Sequence, residues 1–255
     1  MATQNAQKIK RLMTQLRPGA VCLAAWLEQQ GISRDLQQYY VRSGWLEAIG
    51  RGAYARPGQS VDWQDALEAL QQQAELEVHV GGVTALVSRG YGHYLYLGKE
   101  RVQLFSPLGV GLPAWFTKKE WGAKIEHTKT GFLPRREGLK DIESTSRALK
   151  ESAPERAMME CLYLTPKTMA LVECYQLMEG LANLRPNLVQ ALLESCASVK
   201  VKRLFLYMAS KAGHKWLSHV ALDQVDLGKG DRSITPDGVF IKEFHISVPE
   251  ELASL

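Results

Sequence analysis

Polar and cationic side chains recur at helical spacing in the stretch "SRDLQQYYVRS", residues 33–43. Arginine can read guanine through two acceptors in the major groove of DNA, and glutamine can read adenine through a paired donor and acceptor. Ser33 can cap such a helix, and the N-terminus of the helix can hold a phosphate. The alternative is an ordinary exposed helix with a polar outer face. The 3.6-residue period predicts that Leu36, Tyr39, Tyr40 and Ser43 face inward, whereas Arg34, Gln37, Gln38 and Val41 face outward, with Arg42 at the end of the helix.

The next segment, "SGWLEAIGRGAYARPG", predicts a short β-hairpin whose tip is Gly50-Arg51-Gly52. Two glycines let the backbone reverse tightly while one guanidinium projects from the turn, as in the wing of a winged helix that contacts the minor groove or a phosphate. Arg51 is therefore predicted to contact DNA, and Arg56 with Lys8, Lys10 and Arg11 to contact its backbone. The residues predicted to form the core under the wing are Trp45, Leu46, Ile49 and Tyr54.

These side chains require a scaffold, and the first 60 residues have the pattern of one. "NAQKIKRLMTQLRPG" and "AVCLAAWLEQQG" read as helices that end at Pro18-Gly19 and at Gly31, and the residue 33–43 helix and the hairpin follow. This order predicts a winged helix-turn-helix domain over residues 1–60.

The remaining chain predicts an α+β region of mixed character. A helix beginning at Ser60 bridges residues 61–76, and a β-rich part follows over 77–145, with "VHVGGVTALVSRG", "HYLYLG", "RVQLFSP" and "KIEHTKTGF" as strand-like runs. "GLKDIESTSRALKESAPER" reads as a polar linker into a helical part over 146–255, which ends in a β-hairpin around Pro236-Asp237-Gly238. The helical runs in this part are "APERAMMECLYL", "PKTMALVECYQLMEGLANL", "PNLVQALLESCAS" and "VKRLFLYMASKAG".

Composition favours an ordinary globular protein of 255 residues, with 45% hydrophobic and 23% charged residues. Its polar N-terminus and the absence of long apolar runs predict a cytoplasmic protein without a membrane span. Residues 1–60 contain eight Lys and Arg against three Asp and Glu, a local charge of +5 that a polyanion would feel. The spacing of the four cysteines predicts buried free thiols: Cys22, Cys161, Cys174 and Cys196.

Signatures of catalysis are weak. "GVGLPA" at 109–114 is better read as a loop than as a dinucleotide site, because Pro113 interrupts it. His214 and His219 are five residues apart, which does not place them on one helical face for zinc. Asp223, Asp226 and Asp231 are better explained by a solvated turn. No catalytic residue, metal or cofactor is predicted.

A second basic stretch, residues 185–215, has six basic residues and one acid. A basic, partly amphipathic element of this kind can bind nucleic acid, bind an acidic partner, or face only water, and the pattern does not choose among the three. The side chains that flank its apolar core are Lys200, Lys202, Arg203, Lys211 and Lys215.

Several blocks in this order resemble the AbiEi-type antitoxins, the transcriptional-regulator halves of type IV toxin–antitoxin systems. The blocks are "GISRDLQQYYVRSGWLEAIGRGAYARPG", "GGVTALVSRGYGHYL", "LPAWF", "APERAMMECL", "LMEGLANLRPNLVQALLESCASVKVKRLFLYMA" and "WLSHVALDQVDLGKGDRSITPDGVFIKEFHISVP", between about residue 8 and residue 250.

The resemblance implies that the winged helix binds inverted repeats upstream of its own operon and represses it. It also implies that the C-terminal region opposes a nucleotidyltransferase-like toxin encoded nearby, without requiring a stable complex. Alternatives are a protein-interaction module that ignores DNA, a solitary regulator without a toxin, and a nucleic-acid enzyme using Asp226 or Asp237. The residues of the matching basic blocks, taken as an antitoxin surface, are Lys200, Lys202, Arg203, Lys211, Lys215, Lys229 and Arg232.

Overall fold

A computed structural model describes residues 2–91, 100–143 and 147–255. The predicted strand "HYLYLG", residues 93–98, lies outside the described residues. The chain is mixed α+β, as predicted, with an N-terminal unit, a five-stranded sheet and a layer of helices.

The N-terminal unit confirms the predicted order of helix, helix-turn-helix and hairpin. Its three strands pair in the antiparallel order β1-β3-β2, so the hairpin lies beside the short strand between the first two helices. A small core of its own, which includes Ile9, Leu27 and Tyr40, holds the helices together. The elements are α1 (Ala2–Gln15), β1 (Cys22–Leu23), α2 (Ala24–Gln29), α3 (Arg34–Arg42), β2 (Glu47–Gly50) and β3 (Ala53–Ala55).

Helix α4 (Trp63–Gln73) joins this unit to the rest of the chain. It begins at a capping box formed by Asp62 and Asp65, two residues later than the Ser60 start that the sequence predicts. Gln73 donates to the Val21 carbonyl at 2.7 Å and accepts from the Leu23 amide at 2.8 Å. The N-terminal unit is therefore fixed to the bridging helix by hydrogen bonds as well as by packing.

The five-stranded sheet has the order β6-β5-β4-β8-β7. Strands β5 and β6 run parallel, as do β4 and β8, whereas the other neighbours are antiparallel. Two short helices, α5 (Gly82–Ser88) and α6 (Ala114–Lys118), belong to its connections. The strands are β4 (His79–Val80), β5 (Arg101–Ser106), β6 (Lys124–Lys129), β7 (Leu139–Glu143) and β8 (Ala148–Ser152).

Two sequence predictions in this region are wrong. The run "VHVGGVTALVSRG" is strand only at β4 and then forms helix α5, because Gly82, with a φ of +52°, turns the chain. The predicted linker contains β7 and β8, and the alternate residues Leu149 and Glu151 of β8 are buried. The polar composition of this segment does not indicate that β8 is a strand that pairs on both sides, with β4 and with β7.

The helical layer contains the four predicted helices and packs on the sheet. Helices α7 and α9 both begin at a proline, as expected for a first helical position. The elements are α7 (Pro154–Leu164), α8 (Leu171–Glu179), α9 (Pro186–Ser195), α10 (Val199–Lys211) and, at the end of the chain, α11 (Glu250–Ser254).

The terminal strands correct the predicted hairpin. Strands β9 (Arg232–Ser233) and β10 (Val239–Ile241) flank Pro236-Asp237-Gly238 but do not pair with each other. Strand β11 (Ile246–Val248) lies between them, antiparallel to β10 and parallel to β9. The hairpin therefore joins β10 to β11, and the chain turns at His245, whose φ is +50°.

Candidate nucleic-acid interface

The outer face of α3 carries three of the predicted base-reading side chains. Arg34, Gln38 and Arg42 are exposed, and Ser33 caps the helix by accepting from the Leu36 amide at 3.4 Å. Arg34 also pairs with the exposed Glu28 of α2 at 3.0 Å. An exposed pair of this kind is weak, so Arg34 can exchange its partner for a base or a phosphate at low cost.

Gln37 does not belong to this face, which corrects the sequence prediction. Its side chain is buried, and its Nε2 donates to the carbonyls of Ala24 and Ile32 at 2.9 Å each. The amide ties α3 to α2 inside the helix-turn-helix and cannot reach a base edge. Periodicity missed this because Gln37 lies at the boundary of the apolar face, where only the position of α2 decides between inside and outside.

Two exposed aromatic side chains lie on the same unit, where the sequence predicted core. Tyr39 on α3 is 54% exposed and Trp45, just after the helix, is 50% exposed. Leu46 is buried, as predicted, and Ile49 and Tyr54 are half-buried. Sequence reasoning treated every aromatic residue here as core, yet exposed aromatic surface next to cations is itself typical of a binding face.

The segment predicted to be the wing forms a hairpin with the expected turn. Gly52, with a φ of +77°, closes the turn between β2 and β3, and Arg51 at its tip is exposed. The turn of this hairpin packs on α6, where a Cβ built at Gly50 would lie 2.5 Å from the Cβ of Trp115. The position of the arginine tip is thus set partly by the C-terminal region.

The remaining predicted backbone contacts divide into exposed and structural residues. Lys10 and Arg11 of α1 are exposed. Lys8 is half-buried and donates to the Gly31 carbonyl at 2.7 Å, and Arg56 is half-buried and donates to the Leu16 carbonyl at 2.8 Å. Both of these cations hold the unit together, so Lys10 and Arg11 are the exposed members of this predicted set.

The side chains of the predicted antitoxin surface are only partly exposed. Lys202 and Arg203 are buried in α10, which corrects the sequence prediction. The Arg203 guanidinium donates to four main-chain oxygens, those of residues 227, 228, 230 and 245, at 2.7–3.1 Å. Burial lowers the pKa of Arg203, and the nearby charge of Arg232 lowers it further.

Two more residues of the predicted antitoxin surface, Lys200 and Lys211, donate hydrogen bonds to main-chain carbonyls. Lys200 donates to the carbonyls of Tyr163 and Thr165, and burial lowers its pKa. Lys211 donates to the Ala253 carbonyl at 3.2 Å. The members that remain exposed are Lys215, Lys229 and Arg232.

A buried ionic cluster that sequence reasoning missed lies under the five-stranded sheet. Glu160 of α7 pairs with His79 at 2.8 Å and with Arg156 at 2.9 Å, and Ser152 donates to it at 2.8 Å. Burial alone would raise the pKa of Glu160, but the charge and hydrogen bond of His79, the charge of Arg156 and the Ser152 hydroxyl lower it below its usual value. No sequence spacing signals this cluster, because His79 and Glu160 are 81 residues apart.

Metal and membrane sites have no support in the described part of the chain. Among residues 2–91, 100–143 and 147–255, no group of three or more His, Cys, Asp or Glu side chains could hold a metal ion. Within the same ranges, no helix is long and apolar enough to cross a membrane. The four cysteines are buried free thiols, as predicted, and burial raises the pKa of Cys22 to about 12.

Comparison with known families decides the class of protein. Residues 5–97 match the sequence model of the N-terminal domain of the AbiEi antitoxin, described as a transcriptional regulator. Residues 99–249 match the model described as transcriptional regulator, AbiEi antitoxin, type IV toxin–antitoxin system. The chain belongs to the AbiEi antitoxin family. The resemblance in the sequence blocks is thereby confirmed.

The fold of this AbiEi family member also has a solved counterpart. The crystal structure of RV2827C protein from Mycobacterium tuberculosis is 16% identical, with a TM-score of 0.62 over 95% of this chain and 90% of that chain. At this identity the match shows a shared fold. No curated protein matches the sequence.

Proposed function

We propose that this AbiEi-family regulator binds double-stranded DNA through its N-terminal unit and represses its own operon. The observation that carries the proposal is the exposure of Arg34, Gln38 and Arg42 along one helix, next to a hairpin with Arg51 at its tip. A helix of this kind enters the major groove while a wing contacts the minor groove or a phosphate.

Each side chain has a distinct role in the proposed complex. Arg34, Gln38 and Arg42 face base edges, and Arg51 enters the minor groove or binds a phosphate. The N-terminus of α3, capped by Ser33, and the cations Lys10 and Arg11 bind the sugar–phosphate backbone. Two copies on an inverted repeat would cover the promoter and exclude RNA polymerase, in the cytoplasm where the operon lies.

The C-terminal region is proposed to oppose a nucleotidyltransferase-like toxin and to be regulatory rather than catalytic. Of the basic residues predicted for this task, the ones that are exposed are Lys215, Lys229 and Arg232. Lys229 lies between Gly228 and Gly230, both with positive φ, in a loop held from beneath by Arg203. The loop thus presents one lysine on a fixed backbone.

The test is a titration of the full chain against its own upstream DNA, with a random duplex as competitor. At about six to ten phosphate contacts, affinity falls by about 10³–10⁵ between about 50 and about 200 mM salt. Arg34→Ala and Arg51→Ala are expected to weaken operator binding, by about 1–3 kcal/mol where the arginine reads a guanine.

Arg101→Ala is the matched control. Arg101 is 54% exposed and lies near one glutamate, Glu126, just as Arg34 is 54% exposed and pairs with Glu28. Arg101 lies on β5 of the large sheet, so its loss is expected to leave operator affinity unchanged. Equal effects of Arg101→Ala and Arg34→Ala, or no effect of either Arg34→Ala or Arg51→Ala, would refute the assigned reading face.

A second candidate is a protein-interaction module, favoured by the exposed Tyr39 and Trp45. Aromatic residues are enriched in protein–protein interfaces. Such a module would ignore DNA at about 150 mM salt and would co-elute with the product of the neighbouring gene. Specific operator binding that Tyr39→Ala leaves intact would exclude this reading of the α3 face.

A further inference from the structure

A cavity of about 290 Å³ opens at the edge of the five-stranded sheet where β5 and β6 end. Strands β5 and β6 are parallel and in register from Arg101–Lys124 to Ser106–Lys129. The carboxyl ends of parallel strands are where α/β sheets place ligands. Strand β4 is antiparallel to β5, so His79, its first residue, reaches the same edge.

The ionisable side chains that line this cavity are all basic: His79, Arg135 and Arg156. Glu160 lies beneath the lining, where it pairs with His79 and Arg156, and is itself fully buried. Arg135 and Arg156 are therefore the charged side chains of the lining, and both attract an anion.

Arg156 is fixed in place. Its Nε donates to Glu160, and its Nη1 donates to the carbonyls of Pro134 and Glu137 at 2.6 and 2.7 Å. Among the described residues its Nη2 donates to none, so this nitrogen is the remaining donor of an arginine that is only 5% exposed. Pre-organised donors of this kind bind an oxyanion without further ordering.

Arg135 supplies a movable second cation at the rim. It is 70% exposed and pairs with Glu77 at 3.2 Å, a partner that is itself 40% exposed. Such an exposed pair is weak, so an anion with two negative charges can displace Glu77.

The remaining lining is apolar and includes Leu108, Leu133 and Pro134. Leu108 is 70% exposed, so its side chain offers an apolar contact surface at this cavity. We propose that this cavity binds a phosphate group, held by Arg156 and Arg135, with room against Leu108 for the organic part of a phosphomonoester. The site is separate from the α3 face, so it does not depend on the proposed DNA binding.

Calorimetric titration of the full chain with inorganic phosphate and with a nucleoside monophosphate tests the proposal. Arg135→Gln is expected to weaken binding of both ligands at least tenfold. Arg136→Gln is the matched control, because Arg136 is the next residue, is exposed, and lines a neighbouring cavity instead of this one. It is expected to change the affinity by less than a factor of about two.

Leu108→Ser distinguishes a phosphomonoester from free phosphate as the occupant of the cavity. If the monophosphate binds more tightly than free phosphate and loses that advantage in Leu108→Ser, the occupant is a phosphomonoester. If both bind equally and Leu108→Ser changes neither, the occupant is free phosphate. Absence of binding up to about 10 mM of either ligand, or equal losses in Arg135→Gln and Arg136→Gln, would overturn the proposal.

Discussion

Replacing Gln37 by alanine separates a structural role from a base-reading role. Its amide Nε2 donates to the buried carbonyls of Ala24 and Ile32, whereas its Oε1 is buried without a partner among the described residues. Each buried polar group left unpaired costs about 1–3 kcal/mol. Gln37→Ala removes two hydrogen bonds to these carbonyls and one unpaired acceptor, so the expected net loss is about 1–3 kcal/mol in the free energy of unfolding.

Urea unfolding of Gln37→Ala and Gln38→Ala measures this difference on neighbouring residues of one helix. Gln38 is exposed, so Gln38→Ala is expected to change the free energy of unfolding by no more than about 0.5 kcal/mol. If Gln37→Ala unfolds at the same urea concentration as Gln38→Ala, the assigned role of the buried amide is refuted.

Operator titration of the same two variants completes the test. Under conditions where both are folded, Gln38→Ala is expected to lose about 1–3 kcal/mol if it reads an adenine, whereas Gln37→Ala keeps its affinity. A stable Gln37→Ala protein with lost operator affinity would mean that α3 reads DNA through the face now buried against α2.

Three further predictions concern residues outside the reading face. Arg203→Lys loses most of the four main-chain hydrogen bonds of the guanidinium. It is therefore expected to lower the free energy of unfolding by about 2–4 kcal/mol. An unchanged midpoint of unfolding in urea would contradict this. Gly50→Ala places a Cβ 2.5 Å from the Trp115 Cβ, an overpacking that costs about 1–3 kcal/mol. Thermal unfolding should show a smaller cost of Gly50→Ala in a Trp115→Gly background, which lacks that Cβ, and an equal cost in both backgrounds would rule out this contact as the cause. Burial, with the charge of Lys129, lowers the pKa of His127 in the folded protein. As the pH drops below about 6.5, this histidine is therefore protonated more readily in the unfolded chain, and the stability of the folded protein falls. His127→Gln should lose less stability between about pH 7.5 and about pH 5.5, and a pH dependence identical to that of the unsubstituted protein would argue against this assignment.

The sequence determined the features that depend on neighbouring residues. The Ser33 cap, the α3 helix and the Gly50-Arg51-Gly52 turn follow from local backbone chemistry, and the structure has all three. The order of blocks along the chain indicated the AbiEi family, and the family models confirmed it. The proline starts of α7 and α9 were readable for the same local reason.

Only the tertiary structure decided which polar side chains are presented to a partner. Gln37 and Arg203 read as surface residues because both are polar, yet each finds its acceptors on distant segments, such as the carbonyls of residues 24 and 227. The strand β8 read as linker because its stabilising partners, β4 and β7, are not visible in its own composition. The physical reason is common to all three: a buried polar group is stabilised by the group it bonds, and the identity of that group is set by packing between segments far apart in the chain.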